Sequence, residues 1–340
     1  TRETNEFSSV DPTIALRWVP VQDLAVRLSY GTGTLPPSLS QLVPIGSAQT
    51  GLLYTASRDP RRGNTPTGQF TGLFNGNPDL EPEKSKSWSA GLIFTPSALP
   101  SLRLSLDYTR IQKIDNIGTI PNFVQGVIDN EALFPGRVVR GPNLSTDPVG
   151  WAGPITHVDA TPLNLASAEL KAWDVQIDYQ LNTQQRGAFD LFLVGTYQPT
   201  YALQLMSGLP MVDYAGISSA YPLELKLNGG VNWTLSAWRA GWNVSYFDSY
   251  KVSTDATTIA NQGGDGKVDS QIYHDAFVTY DVGLARGNVN SWLAGTQVQL
   301  GVRNVFNKKA PFDASNTMAY YSLFGNPRMA SYYLTVTTKF

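Results

Sequence analysis

Hydrophobic and polar positions alternate with period two in run after run along the chain, the signature of strands with one apolar and one polar face. In 22–31, Leu24, Val26, Leu28 and Tyr30 oppose Ala25, Arg27 and Ser29. In 101–113, Leu102, Leu104, Leu106 and Tyr108 oppose Arg103, Ser105, Asp107 and Thr109. The clearest run has Leu223, Leu225, Leu227, Gly229, Val231, Trp233 and Leu235 on one side, with Glu224, Lys226, Asn228, Gly230, Asn232 and Thr234 on the other. That run exceeds the ~5–6 residues usual for a strand of a soluble sheet. The pattern predicts strands at 13–19, 22–31, 86–95, 101–113, 168–182, 187–199, a hairpin over 222–250, strands at 271–285 and 291–308, and a closing strand from Tyr332 to Phe340.

This makes about eleven strands, and their connections alternate in length. Short ones fall near 20, 97, 184, 237 and 288; long ones cover 32–83, 114–167, 200–221, 251–270 and 309–328. Transmembrane barrels have this asymmetry, with short turns on the periplasmic side and long loops outside the cell. A soluble sandwich has no reason to place every long loop at one end. The predicted fold is therefore an all-β, antiparallel transmembrane β-barrel. Trp233, Trp238 and Trp242 cluster near one short turn, as an interfacial aromatic girdle does.

Composition narrows this picture without deciding it. The 340 residues carry a net charge of −2, two histidines, no cysteine and 11% aromatics. Mean hydropathy is −0.17, as expected where half of every strand faces a polar interior. Near-neutral charge gives no nucleic-acid footprint, and the lack of cysteine excludes disulfides and thiolate metal sites. No apolar run reaches the ~20 residues of a membrane helix. No signal peptide opens the sequence, so an exported barrel is expected to continue upstream, and the odd strand count implies the same.

Three segments carry more than periodicity. The stretch 296–340 reads TQVQLGVRNVFNKKAPFDASNTMAYYSLFGNPRMASYYLTVTTKF, two alternating strands around a long loop that holds Asn326-Pro327-Arg328. In 77–85, NPDLEPEKS, two prolines fix an extended entry that cannot donate ladder bonds, so it precedes a paired region. Residues 32–40, TGTLPPSLS, leave a strand. Together these resemble the terminal hairpin, the Gly-Asn-Pro-x-Leu-x-Pro-Glu-Lys-Ser strand entry and the Thr-Gly-Phe-x-Ala-Pro-Ser strand exit of TonB-dependent outer-membrane receptors. Thr34-Leu35-Pro36 departs from the last of these. The resemblance covers nearly the whole chain and implies that 1–340 is the C-terminal part of a receptor barrel, half of a 22-stranded plugged transporter, with plug and TonB box upstream. It also implies that Phe340 is the outer-membrane assembly signal. The implied partners are outer-membrane lipid, the barrel assembly machinery, the TonB energy-transducing complex and a small-molecule ligand.

The function so implied is active import of a scarce ligand: a siderophore, cobalamin or an oligosaccharide. A passive porin-like channel and a soluble carbohydrate-binding module are the alternatives. Ligand selectivity is expected in the loops 32–83 and 114–167, at Arg58, Arg61 and Arg62 in the first and Arg137, Arg140 and Trp151 in the second. Arginine offers a fixed fork for carboxylate or phosphate, and indole a stacking face. Arg17, Arg27, Arg103, Lys226 and Arg303 are expected on the lumen side. No enzyme activity, cofactor or metal site is expected. Glu81 and Glu83 lack a companion nucleophile or histidine, His157 and His274 stand apart at ordinary polar positions, and Gly263–Ser270 lacks the repeated acidic ligands of a calcium loop.

Overall fold

The computed structural model describes residues 7–44, 49–53, 57–117, 122–204, 209–286 and 295–338. Eleven strands follow one another as a single antiparallel meander: β1 Thr13–Val21, β2 Leu24–Leu35, β3 Glu83–Phe94, β4 Leu102–Ile117, β5 Asn164–Thr183, β6 Gly187–Gln204, β7 Leu225–Leu235, β8 Trp238–Phe247, β9 Gln271–Asp281, β10 Gln297–Arg303 and β11 Ser331–Thr337. A short strand, Val212–Asp213, pairs beside β6. Each strand pairs with its sequence neighbour, and among the described residues β1 and β11 are the free edges.

The register carries the alternation across the whole sheet. Leu28, Ala90, Tyr108, Trp173 and Tyr197 form one cross-strand row on the apolar face. Arg27, Gly91, Asp107 and Asp174 form the next row, on the polar face. There Arg27 donates two bonds to Asp107, at 2.7 and 2.8 Å, across the intervening Gly91. A Cβ on Gly91 would lie 1.9 Å from an Asp107 oxygen, so that bridge requires glycine. The polar face continues through Thr196, which donates to Asp174, and Asn228, which donates to Ser245. On the apolar face Trp18, Trp88, Leu300 and Leu334 are all more than half exposed, which is how a lipid-facing wall looks in the absence of lipid.

The closing turns are tight at one end. Gln22-Asp23 separate β1 from β2, and Ser236-Ala237 separate β7 from β8, with Ser236 at φ 53°. Trp233 Nε1 donates to the carbonyl of Arg186 in the neighbouring turn at 2.7 Å, and Trp238 contacts Tyr280 at 4.6 Å between ring centroids, so the aromatic girdle is real at this end. At the other end the strands overrun any bilayer. The 20 residues of β5, at a rise of about 3.4 Å each, extend roughly 65 Å, twice a hydrocarbon core of ~30 Å.

Several boundaries move. The β7 alternation starts at Leu225, because Leu223 turns into a core between loops, where it is 2% exposed. The strand expected over 271–285 ends at Asp281 and passes into a short helix, Val282–Arg286. The turn expected near 288 and Phe340 lie outside the described residues.

The alternation makes a direct test available on β7. Leu227 lies on the apolar face, packed so that a Cβ on Gly195 would meet it at 2.5 Å, while Lys226 lies on the polar face. Leu227→Arg is expected to cost about 2–4 kcal/mol of folding free energy in a bilayer. Lys226→Gln is expected to change it little, and equal tolerance at both positions in a membrane-folding titration would reject the facing.

Candidate functional site

The described residues of the long connections fold into two packed caps at the end of the sheet opposite the tight turns. In the first, Gln49–Leu53, Thr71–Phe74, Ile155–Asp159 and Val138–Arg140 make a four-stranded sheet drawn from both of the longest loops. The central pairing, His157 with Thr71, is parallel and joins segments some eighty-six residues apart. Helix Asn122–Asp129 closes over this sheet. Phe70, Val124, Val127, Ile128, Phe134, Val138, Ile155 and Val158 form its core, each less than a tenth exposed.

This packing places the expected site residues. Arg140 lies at the centre, 11% exposed, and donates to Asp59 at 2.7 and 3.0 Å and to Glu131 at 2.8 Å. Asp59 is 1% exposed. Burial alone would lower the Arg140 pKa, but the hydrogen bonds it donates to Asp59 and Glu131 outweigh it and the pKa is raised. Arg62 grips Asp147 with both terminal nitrogens, at 2.9 and 2.5 Å, and its guanidinium lies 5.1 Å from the Trp151 ring. The Arg62 hydrogen bonds hold the Asp147 carboxyl below the usual carboxylate range. Arg137 donates to the carbonyls of Asp159 and Thr161. These three arginines are therefore engaged inside the cap. Arg61 pairs with Glu131 at 3.0 Å but is 58% exposed, and Arg58, also exposed, donates to the Asn64 carbonyl. Of the six residues named from sequence, Arg61 and Arg140 meet on Glu131, Arg62 lies against Trp151, and Arg137 stands apart on the Asp159 and Thr161 carbonyls; Arg58 and Arg61 are exposed and Trp151 half-buried.

The NPDLEPEKS segment pins this cap to the wall. Asn77 Oδ1 accepts from the Asp79 amide, and Asn77 Nδ2 donates to the Pro162 carbonyl at 2.9 Å. Leu80 is 3% exposed. The Glu81 amide donates to Asn164 Oδ1, and Asn164 Nδ2 returns a bond to the Glu81 carbonyl. Glu83, 7% exposed, accepts from the Ile117 amide at 2.8 Å and pairs with Lys113. Its carboxylate is consumed in joining β3 to β4.

The second cap gathers the remaining long connections over the polar face. Leu223, Tyr250, Val252, Val268 and Ala314 form its core, with Phe247 and Phe324 packed against them. The Tyr250 hydroxyl bonds to Asp313 at 2.7 Å and Ser322 at 2.9 Å, and Gln271 Nε2 donates to Ser322. Tyr250, Asp313, Ser322 and Gln271 are each at most 2% exposed. Burial holds the Tyr250 phenol protonated well above its ordinary range. Lys226, on the polar face, lies 5.2 Å from the Phe324 ring, so the last long loop folds inward over that face.

Periodicity missed these caps, although one signal was present. Val124, Val127 and Ile128 recur at helical spacing inside a stretch read as loop. His274 also needs correction, since it stands on the apolar face rather than at an ordinary polar position: Trp242 Nε1 donates to its Nδ1 at 3.2 Å, and the Phe306 ring lies 4.9 Å away. His157 is exposed beside Thr156. Among the described residues no three His, Asp or Glu gather to hold a metal ion.

A family model described as "TonB dependent receptor-like, beta-barrel" matches residues 1–305. Among solved structures, the ferric enterobactin receptor PfeA of Pseudomonas aeruginosa is similar at 13% identity and a TM-score of 0.59, over 96% of this chain and 40% of that one. The siderophore receptor PirA of Acinetobacter baumannii is similar at 14% identity and a TM-score of 0.58, over 96% and 40%. The ferric citrate transporter FecA, unliganded, is similar at 14% identity and a TM-score of 0.51. At these identities the likeness is one of fold, and the chain spans about 40% of the length of the first two structures. No curated protein sequence matches the chain. With a meander of eleven antiparallel strands, an apolar outer wall, a polar inner face and a family model over nine-tenths of its length, the chain belongs to the TonB-dependent receptors, as a stretch of their β-barrel in the bacterial outer membrane.

Proposed function

We propose that the protein carrying this chain imports a scarce small molecule, an iron-loaded siderophore in the first instance, by TonB-dependent active transport through a plugged barrel. The observation that carries this reading is the pair of folded caps above an ionised polar face. A diffusion pore needs an open mouth, whereas here Phe324 and its loop fold inward onto Lys226. In support of that ligand class, one of the similar structures holds enterobactin and another is named for ferric citrate.

Within this reading the outer layer of the first cap meets the ligand. Arg58 and Arg61 present exposed guanidinium groups to carboxylate or catecholate oxygens, and Trp151, half-buried against Arg62, presents a ring. Arg62, Arg137 and Arg140 hold that layer in place. The test is uptake of radiolabelled iron from a panel of ferric siderophores into cells expressing the full receptor, with and without TonB. Uptake that saturates and disappears without TonB is expected for one member of the panel, and uptake indifferent to TonB would make the barrel a passive channel. Arg58→Ala with Arg61→Ala is expected to raise the half-saturating concentration about tenfold or more, as loss of two charge-assisted bonds does. The barrel should keep its heat-modifiable gel mobility.

A further inference from the structure

The polar face of the wall carries three aromatic residues that a wet interior does not need. By register, Phe192, Phe277 and Tyr333 share the face of Asn228, Asn232 and Gln299. Each stands directly opposite a glycine of a neighbouring strand: Phe192 of β6 opposite Gly230 of β7, Phe277 of β9 opposite Gly241 of β8, and Tyr333 of β11 opposite Gly301 of β10. Each ring also lies over its glycine. A Cβ on Gly230 would meet the Phe192 ring at 3.0 Å, and one on Gly241 or Gly301 would lie closer still to the ring of Phe277 or Tyr333. All three rings are half-buried, whereas Tyr332 and Leu334, which flank Tyr333 on the edge strand, are 79% and 64% exposed. Glycine within a strand admits such close approach, and any other residue would lift the ring off the backbone.

The three pairs share one property. β6 and β7 are joined through 205–224, β8 and β9 through 248–270, and β10 and β11 through 304–330, so no tight turn holds any of them. A tight turn fixes the register of its hairpin, and a long connection leaves slack. Alternation excludes a slip of one residue, which would turn every side chain of the strand to the wrong face, but it permits a slip of two. That slip would set Phe192 against Asn228 or Asn232, Phe277 against Arg239 or Asn243, and Tyr333 against Gln299 or Arg303. Each of these residues carries a side chain where the ring now lies. β2 and β3, joined through 36–82, use glycine similarly with smaller groups. There Ser85 and Ser87 donate to the carbonyls of their direct partners, Gly33 and Gly31, at 3.2 and 3.3 Å.

We propose that the ring-on-glycine contacts are register keys: they exclude the two-residue slips that alternation permits, in strand pairs that long connections leave free to slide. Without a key the wall could close two residues out of step, with both faces intact and the caps misaligned. The device belongs to the wall and does not depend on the cargo of the barrel.

The experiment reads the register of β8 against β9 in the full receptor by oxidising paired cysteines, the stretch 1–340 contributing none of its own. Ala240→Cys with Val278→Cys reports the native pairing. Ala276→Cys, combined with Ala240→Cys or with Val244→Cys, reports a slip of two in either direction. With the key intact the native pair should cross-link and the slipped pairs hardly at all. Gly241→Val, which puts a side chain under the Phe277 ring, is expected to raise the ratio of slipped to native cross-link about tenfold, as overpacking a closed contact does. Phe277→Ala, which removes the key and keeps the glycine, is expected to raise it by a smaller factor, and it carries the test if Gly241→Val does not assemble. Ser245→Ala, on the same face of β8 away from the key, should leave the ratio unchanged. Slipped cross-links as abundant with the key intact as without it would overturn the assignment. So would Phe277→Ala of normal gel mobility that forms the native cross-link alone, which would make the ring a footing for whatever fills the barrel.

Discussion

Arg140→Ala will unfold the first cap while leaving the wall standing. The substitution strands Asp59, 1% exposed, and leaves Glu131 with Arg61 alone. Breaking a buried pair by removing one partner costs about 3–5 kcal/mol, because the remaining charge stays buried. That is comparable with what a core of eight or nine apolar side chains in an isolated unit supplies beyond its ordering entropy. Hydrogen exchange of the full receptor should show 49–74 and 122–160 losing protection while β3 to β6 keep theirs. Asp59→Asn together with Arg140→Ala should recover part of the loss. Acid should act on the same unit through Asp147: its pKa is lowered in the folded cap, so its contribution is present above the ordinary aspartate value and is lost as pH falls through the depressed one. Cap protection that is unchanged in Arg140→Ala would mean the ion pairs only decorate a core that is sufficient alone.

Residues 1–340 produced by themselves will not yield a closed monomeric barrel. An odd number of antiparallel strands leaves β1 and β11 running in the same direction, so joining them would demand a parallel pair inside an antiparallel wall. Both edges are strongly exposed, with Ile14 at 70% and Tyr332 at 79%. Their unpaired amides have no acceptor in hydrocarbon, and each costs several kcal/mol there. A second copy in the same membrane orientation brings another edge of the same direction and does not solve this. Aggregates or mixed oligomers are therefore expected on refolding into detergent, and a heat-modifiable, protease-resistant monomer would show that the sheet can curl shut without further strands.

The wall was legible from sequence because a two-sided sheet writes itself in the residues: alternate positions avoid charge along β7, and are apolar or aromatic from Leu24 to Tyr30 of β2 and from Leu102 to Tyr108 of β4. Leu223 shows the limit of that code. It continues the apolar beat of β7, yet its environment is the core around Tyr250, and nothing local distinguishes the two kinds of burial. The caps were illegible for a different reason. Their strands are two to five residues long and pair across long separations, as His157 does with Thr71, so no window of sequence contains both partners. Arg58, Arg61, Arg62, Arg137, Arg140 and Trp151 were chosen as residues a ligand would want. Their chemistry was legible, but the division into a paired inner layer and an exposed outer one depends on Asp59, Glu131 and Asp147, which the sequence does not mark as their partners.

The pins between cap and wall have an evolutionary consequence. Asn77 and Asn164 hold the first cap through backbone groups of Pro162 and Glu81, and backbone groups are the same whatever side chains flank them. The cap also carries its own apolar interior. The two loops, which flank β3 and β4, can thus diverge together without renegotiating the barrel, provided these anchoring side chains remain. On the function proposed above, selection for a new cargo would act on these two loops while the membrane-embedded scaffold is inherited intact.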